Sequence, residues 1–233
     1  MTIHILQRGR MSLKSLIFDF DGLILDTEMP EYLVLREFFR ENGAELPISE
    51  YVKCIGSSYE AFNPYVYLEE LTGRQFDRAS IGATLQAKSR VLIQKQPPLP
   101  GVKDLIVSAR QTGLRLAVAS SSSDEWVTGH LTRLELLPYF DVICTGSQVP
   151  RVKPAPDVYQ LAIKRLDINP EEAVALEDSI NGVNAAKDAG LFCIAVPSAL
   201  TNMLNFSRAD LMISSIADLT LDRLTARFNG KAH

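Results

Sequence analysis

Six polar residues stand where apolar runs of this chain end. Asp19 and Asp21 close or follow SLIFDF, Ser120 closes LRLAVAS, Lys153 lies in the loop beyond DVICTG, and Glu177 and Asp178 close AVALED. If the runs are neighbouring strands, four carboxylates, one hydroxyl and one ammonium converge. Carboxylates so crowded repel one another. A hard divalent cation resolves this, and oxygen donors without His or Cys point to Mg²⁺. Mg²⁺ prefers one or two carboxylates plus a phosphate, and a lysine beside a helix N-terminus completes a phosphate cradle. An aspartate in that field can attack phosphorus, because the cations neutralise charge on the transferring group.

The elements that must position these residues are readable. SLIFDF (15–20), LRLAVAS (114–120), DVICTG (141–146), AVALED (173–178) and LFCIAV (191–196) are continuous apolar runs separated by helical patterns, and DLMIS (210–214) adds an edge strand. Such runs are strands of a parallel sheet buried on both faces. Right-handed crossovers then give a three-layer α/β, Rossmann-like core. In an open parallel sheet, ligands bind beyond the carboxyl ends of the strands, where the six residues lie. Gly22 lets the chain turn sharply after the two acids. Ser122 and Glu125 fit an S-x-x-E capping box for the helix carrying Val127, Leu131 and Leu134. Pro154 and Pro156 open the helix of Tyr159, Leu161 and Ala162, and Gly190 ends the one that follows Asn181 and Gly182.

The alternation breaks once. Between Thr27 and about Pro98 no buried strand is evident. Pro30 opens a helix with Tyr32, Leu35, Phe38 and Phe39 inward and Gly43 at its end; further helical patterns cover 60–72 and 76–95, and QPPLPG (96–101) is a stiff linker. The expected division is an N-terminal extension (1–12), a core made of 13–27 and 98–233, and a helical cap inserted at 28–97.

The chain has 233 residues, a formal net charge of −4 and a pI near 5.5. It can bury a real core without disulfides. Its charge argues against a nucleic-acid or acidic-membrane partner, and no apolar run approaches the roughly 20 residues of a membrane span. Cys54, Cys144 and Cys193 are sparse and unpaired in sequence, which suits a reducing cytosol, with the latter two as buried thiols. A cytoplasmic monomer is expected.

The motifs together resemble the haloacid dehalogenase-like hydrolase superfamily. DFDGLILDTE is similar to its D-x-D-G nucleophile motif, LAVASSS to its strand ending in Ser or Thr, VPRVKPAPDVY to its Lys-Pro-x-Pro segment, and ALEDSINGVNAAKDAG to its acidic metal loop. They occur in family order, and the inserted cap resembles the branch of β-phosphoglucomutase and phosphoglycolate phosphatase-like enzymes. The resemblance implies a phospho-aspartate on Asp19, with Asp21 as acid to the leaving alkoxide, then base for water. It implies phosphoryl contacts from Ser120 and Lys153, and Mg²⁺ held by Asp19, Asp178, Glu177 and the Asp21 carbonyl.

Other readings remain open beside that one. The mutase carries a histidine in the cap hinge where this chain has Glu31, which favours a phosphatase of small phosphorylated metabolites over a mutase. Metal-free dehalogenases lack the second aspartate, and a non-catalytic phosphate-binding module has no need of every catalytic candidate. Gly56, Ser57, Ser58 and Tyr59 meet the leaving group or form an ordinary turn. Ser121 is a further phosphate donor, and Lys88 and Arg90 are read as solvated helix charges. Trp126 is read as helix packing, and His4, His130 and His233 as surface residues.

Overall fold

The structure, a computed structural model, describes residues 12–54 and 62–228. Six parallel strands, β1 (Ser15–Phe18), β2 (Arg115–Ala119), β3 (Val142–Cys144), β4 (Ala173–Glu177), β5 (Phe192–Ala195) and β6 (Leu211–Met212), form one sheet in the order β3-β2-β1-β4-β5-β6. This is the expected α/β core. β1 pairs with both β2 and β4, so its end meets theirs: Phe18 lies opposite Val118 on one side and Leu176 on the other. The order reverses across β1, which puts the crevice for a ligand beyond its carboxyl end.

The core helices are α5 (Val102–Gln111), α6 (Asp124–Arg133), α7 (Asp157–Leu166), α8 (Ile180–Asp188) and α9 (Leu221–Phe228). The two sheet faces differ. Leu16, Phe18, Leu116, Val118, Val174 and Leu176 pack under Leu105, Ile106, Val127, Leu131 and Leu224 of α5, α6 and α9. On the opposite face Ala117, Ala119, Ala173, Ala175 and Ala195 pack under Val158, Ala162, Val183, Ala185 and Ala186 of α7 and α8. Small facing side chains leave room for close approach, because interiors are filled to near crystal density. That closeness brings the first turn of α7 to the end of β4. Cys144 and Cys193 are buried thiols, as expected.

Between β1 and α5 the chain forms α1 (Glu28–Glu41), the single turn α2 (Ile48–Tyr51), α3 (Pro64–Thr72) and α4 (Arg78–Ile93). Helix α1 begins two residues before Pro30, where Asp26 accepts the Met29 N–H at 3.0 Å. Tyr32, Leu35, Phe39, Leu46, Tyr51, Leu68 and Leu85 give this cap its own apolar cluster. Leu200, from the loop after β5, is the core's buried contribution to it. The two connections run together: the Leu99 N–H donates to the Ile24 carbonyl at 2.9 Å, and Leu25 bridges Pro98 antiparallel. Among the described residues no helix is long and apolar enough to cross a membrane.

Where the chain re-enters the core, Gly101 has φ +83°, and a Cβ there would stand 2.3 Å from the Ala217 nitrogen. Both the left-handed backbone and the close approach demand glycine. Gly101→Ala is expected to destabilise the protein by about 2 kcal/mol or more. Chemical denaturation checks this; an unchanged midpoint would mean that α5 and the Ala217 turn are free to separate.

Candidate active site

Asp19 follows β1, and its N–H donates to the Leu176 carbonyl at 3.0 Å, so its side chain emerges beside the end of β4. Glu177, the last residue of β4, is fully buried, and Asp178 is 1% exposed. Lys153 reaches between them: its Nζ lies 2.5 Å from Asp19 Oδ1 and 2.6 Å from Glu177 Oε1. The Tyr159 hydroxyl, one turn into α7, donates to the same Glu177 oxygen at 2.6 Å, and the Lys153 ammonium sits 5.0 Å from the centre of the Tyr159 ring. The Ser179 hydroxyl stands 3.3 Å from Glu177 Oε2 and also accepts the Gly182 N–H as the cap of α8.

Asp19, Glu177 and Asp178 each offer an oxygen, all within 4.8 Å of one another. Asp178 Oδ2 is buried and has no hydrogen-bond partner among the described residues. That orphaned oxygen, the oxygen-only donor set and the excess of negative charge fit a hard divalent cation. Two glycines shape the carboxylate positions. A Cβ on Gly22 would lie 2.0 Å from Asp178 Oδ2, and one on Gly182 would lie 1.9 Å from Glu177 Oε2.

The charges respond to burial. Burial alone would discharge Lys153, yet Asp19 and Glu177 hold its pKa above the ordinary lysine value. One ammonium does not compensate all the surrounding acids: burial raises the Asp19 carboxyl to about 7 against the pull of Lys153, with Glu177 and Asp21 adding to the rise. Burial, then Glu28 and Asp19, raise Asp178 well above the carboxylate range.

Asp21 lies apart from that cluster, turned toward the loop between β2 and α6. Its Oδ2 accepts from the Ser122 hydroxyl at 2.6 Å, with the Ser120 hydroxyl at 3.4 Å, and its Oδ1 accepts from the Trp126 indole N–H at 2.9 Å. The sequence reading is corrected here at three points. Ser123, not Ser122, caps α6, its hydroxyl accepting the Trp126 N–H at 3.3 Å; the Ser122 side chain is committed to Asp21. Trp126 packs on the helix as expected, but also donates to Asp21. His130 is 3% exposed, set edge-on to Trp126 at 4.3 Å, and is no surface residue.

Arg90 of α4 is exposed, as expected for a solvated charge, but lies 5.9 Å from the Trp126 ring centre. Lys88 is exposed on the same helix and, with Ala83, Thr84, Ala87 and Val91, lines a shallow, open surface depression. Gly56, Ser57, Ser58 and Tyr59, and likewise His4 and His233, lie outside the described residues.

Two acids of α1 were not singled out together by sequence. Glu28 Oε2 is buried without a hydrogen-bond partner among the described residues, and burial, then Asp19 and Asp21, push its carboxyl up to about 8. Glu31 is pushed up to about 7 by desolvation and by Asp21, although its tip reaches solvent. For Glu28 the sequence signal is acidity in a first helical turn, which ordinarily means favourable interaction with the helix dipole; Glu31 stands out only as the residue found where the mutase has a histidine.

Residues 16–196 match the family model of haloacid dehalogenase-like hydrolases, and the chain belongs to that family. It is 41% identical over 219 residues to the Bacillus subtilis protein named "Putative phosphatase YhcW", covering 94% of this chain and 99% of that one. It is 31% identical over 179 residues to a phosphorylated carbohydrates phosphatase of Thermotoga maritima, covering 77% of this chain and 82% of the other. Among solved structures, a mutant of CbbY from Rhodobacter sphaeroides in complex with xylulose-(1,5)bisphosphate superposes with a TM-score of 0.67 at 30% identity, over 89% of this chain and 96% of that one. The chain is thus a haloacid dehalogenase-like hydrolase similar to members named as phosphatases.

The raised carboxyls carry a sign. Asp19, at about 7, and Glu28, at about 8, hold protons in the folded state that they lose when unfolded at pH 5 to 6. Their contribution to stability is therefore full in acid and is lost as pH rises through about 7 to 8. In chelator the thermal midpoint is expected to fall from pH 5 to pH 8.5, and added Mg²⁺ is expected to restore more of it at the alkaline end. A midpoint indifferent to both would contradict a crowded anionic site.

Proposed function

We propose that this protein is a Mg²⁺-dependent phosphatase that hydrolyses a small phosphomonoester, a sugar phosphate or similar metabolite, through a phospho-aspartate on Asp19. The observation that carries this is the Lys153 ammonium held between Asp19 and Glu177, with the unpartnered Asp178 oxygen beside them. The relatives named for phosphatase activity on phosphorylated carbohydrates support the substrate class.

Asp19, Asp178 and Glu177, with the Asp21 carbonyl, would hold Mg²⁺, which supplies positive charge to the transferring phosphoryl oxygens when bound. Lys153 adds a second positive charge and keeps one Asp19 oxygen fixed, so the other is aimed at phosphorus. Ser120, at the end of β2, would donate to a phosphoryl oxygen; Ser121 at the same loop is a further donor. Asp21 would give its proton to the leaving alkoxide and then take one from the attacking water, two steps that need one carboxyl in alternating states. Glu177 is tied to Lys153 and Tyr159 through one oxygen and to Ser179 through the other, so both its oxygens are held.

The functional division is residues 13–27 and 98–233 as catalytic core and 28–97 as cap. Substrate enters with the cap open, and closure excludes water during transfer. Glu31 in place of the mutase histidine favours release of phosphate over its return to a sugar. A monomer acting in the cytoplasm completes the reading.

A release assay over sugar phosphates, phosphoglycolate and nucleoside monophosphates, with and without Mg²⁺, tests the proposal. Turnover is expected to require Mg²⁺, and Asp19→Asn is expected to lower kcat by about a thousandfold or more, as removal of a nucleophile does. Failure of every compound to release phosphate, or full activity in Asp19→Asn, would overturn it.

A further inference from the structure

We propose that Trp126 is the positioning residue for Asp21, and that Arg90 ties this arrangement to the cap; the inference rests on the phosphatase reading, in which Asp21 moves the proton. Among the described residues the Asp21 side chain takes no hydrogen bond from its own strand end. Both its oxygens are held by the segment after β2: Oδ1 by the Trp126 indole at 2.9 Å, Oδ2 by the Ser122 hydroxyl at 2.6 Å. The two donors differ in kind. An indole N–H only donates, whereas a hydroxyl rotates to donate or accept. Trp126 therefore fixes Oδ1 as an acceptor throughout the reaction. Oδ2, facing a hydroxyl that can reverse its role, is the oxygen free to carry the proton.

The first half-reaction states the use of this. A bond forms from an Asp19 oxygen to phosphorus, and the ester P–O bond breaks with its electron pair on the leaving oxygen. The proton on Asp21 Oδ2 goes to that oxygen, giving a neutral alcohol. A carboxyl rotated by some tens of degrees would point its proton elsewhere, and positioned proton transfer is worth about 10²–10⁴-fold.

The indole is itself fixed. His130 meets it edge-on, with ring centres 4.3 Å apart, and packs 6.2 Å from Phe20, the residue preceding Asp21. Arg133 lies 3.4 Å from His130 Nδ1 through its Nε and donates to the Gln96 carbonyl at 3.0 Å, on the linker that returns from the cap. On the outer side Arg90 of α4 places its guanidinium 5.9 Å from the ring centre, within cation–π range. Cap helix and Asp21 thus meet on one tryptophan, and the cap linker is joined to it only through Arg133 and His130.

Two measurements decide the matter, both on the full chain with Mg²⁺. The first compares kcat/KM, which reports steps through transfer to Asp19, for an alkyl phosphate found to be a substrate and for p-nitrophenyl phosphate, whose leaving group departs without a proton. Trp126→Phe is expected to lower the alkyl value by about tenfold or more and the nitrophenyl value by less than about threefold. Arg90→Met is expected to show the same selectivity at about threefold. Equal losses on both substrates would make Trp126 merely structural and overturn the proposal; no selective loss in Arg90→Met would remove the link to the cap. The second uses the fact that the chain has one tryptophan. Asp21→Ala is expected to shift its emission in the folded, substrate-free protein, and an unchanged spectrum would overturn the contact even if Trp126→Phe fails to fold. If the wild type hydrolyses no phosphomonoester while the emission shift occurs, the phosphatase reading fails and the contact stands.

Discussion

The site depends on one ammonium. Lys153 is held with its side chain almost wholly buried, 2.5 Å from Asp19 and 2.6 Å from Glu177. Buried ion pairs gain little net stability, but loss of one partner leaves an uncompensated charge in a poor solvent. The lysine is thus less a source of stability than a condition on the others. With it, Asp19 and Glu177 can lie side by side at the ends of two adjacent strands. The acids still outnumber it, and the excess charge gives the site its appetite for a further cation.

The rest of the core serves that arrangement. β1 and β4 are in register, so Asp19 and Glu177 come out level. The alanine-rich face of the sheet lets α7 and α8 settle close to it, and α7 supplies the Tyr159 hydroxyl that completes Glu177. Gly22 and Gly182 occupy no volume where the two acidic side chains need it. Each of these is a packing decision, made in the hydrophobic part of the molecule, whose effect is electrostatic.

Much of this was legible in sequence. The five apolar runs are strands, the edge strand exists, and Asp19, Glu177 and Asp178 meet because parallel strands end together, while Asp21 turns toward Ser120. What escaped is what depends on approach across the chain. Trp126 and Asp21 are 105 residues apart, and an aromatic on an amphipathic helix has packing as its ordinary reading. Tyr159 escaped for the same reason. Four serines in a row (120–123) offer several possible caps, and only the turn's geometry selects Ser123. Glu28 resembles any acid in a first turn; its burial comes from the cap lying against the core. His130 is polar on a short helix, yet two aromatic neighbours cover it.

The paired linkers at Ile24–Leu25 and Pro98–Leu99 have a mechanical meaning. The chain leaves the core and returns to it at one place, through a ribbon closed by the Leu99–Ile24 hydrogen bond. A body carried on a single narrow ribbon pivots as a lever, and a small change in the ribbon's twist is magnified at the far end of the helices. Entry and exit side by side also make the cap a cassette: its length and contents could vary among relatives without disturbing the strand order beneath. The strand scaffold that holds the acidic cluster and the helices inserted above it are then separately adjustable parts of one polypeptide.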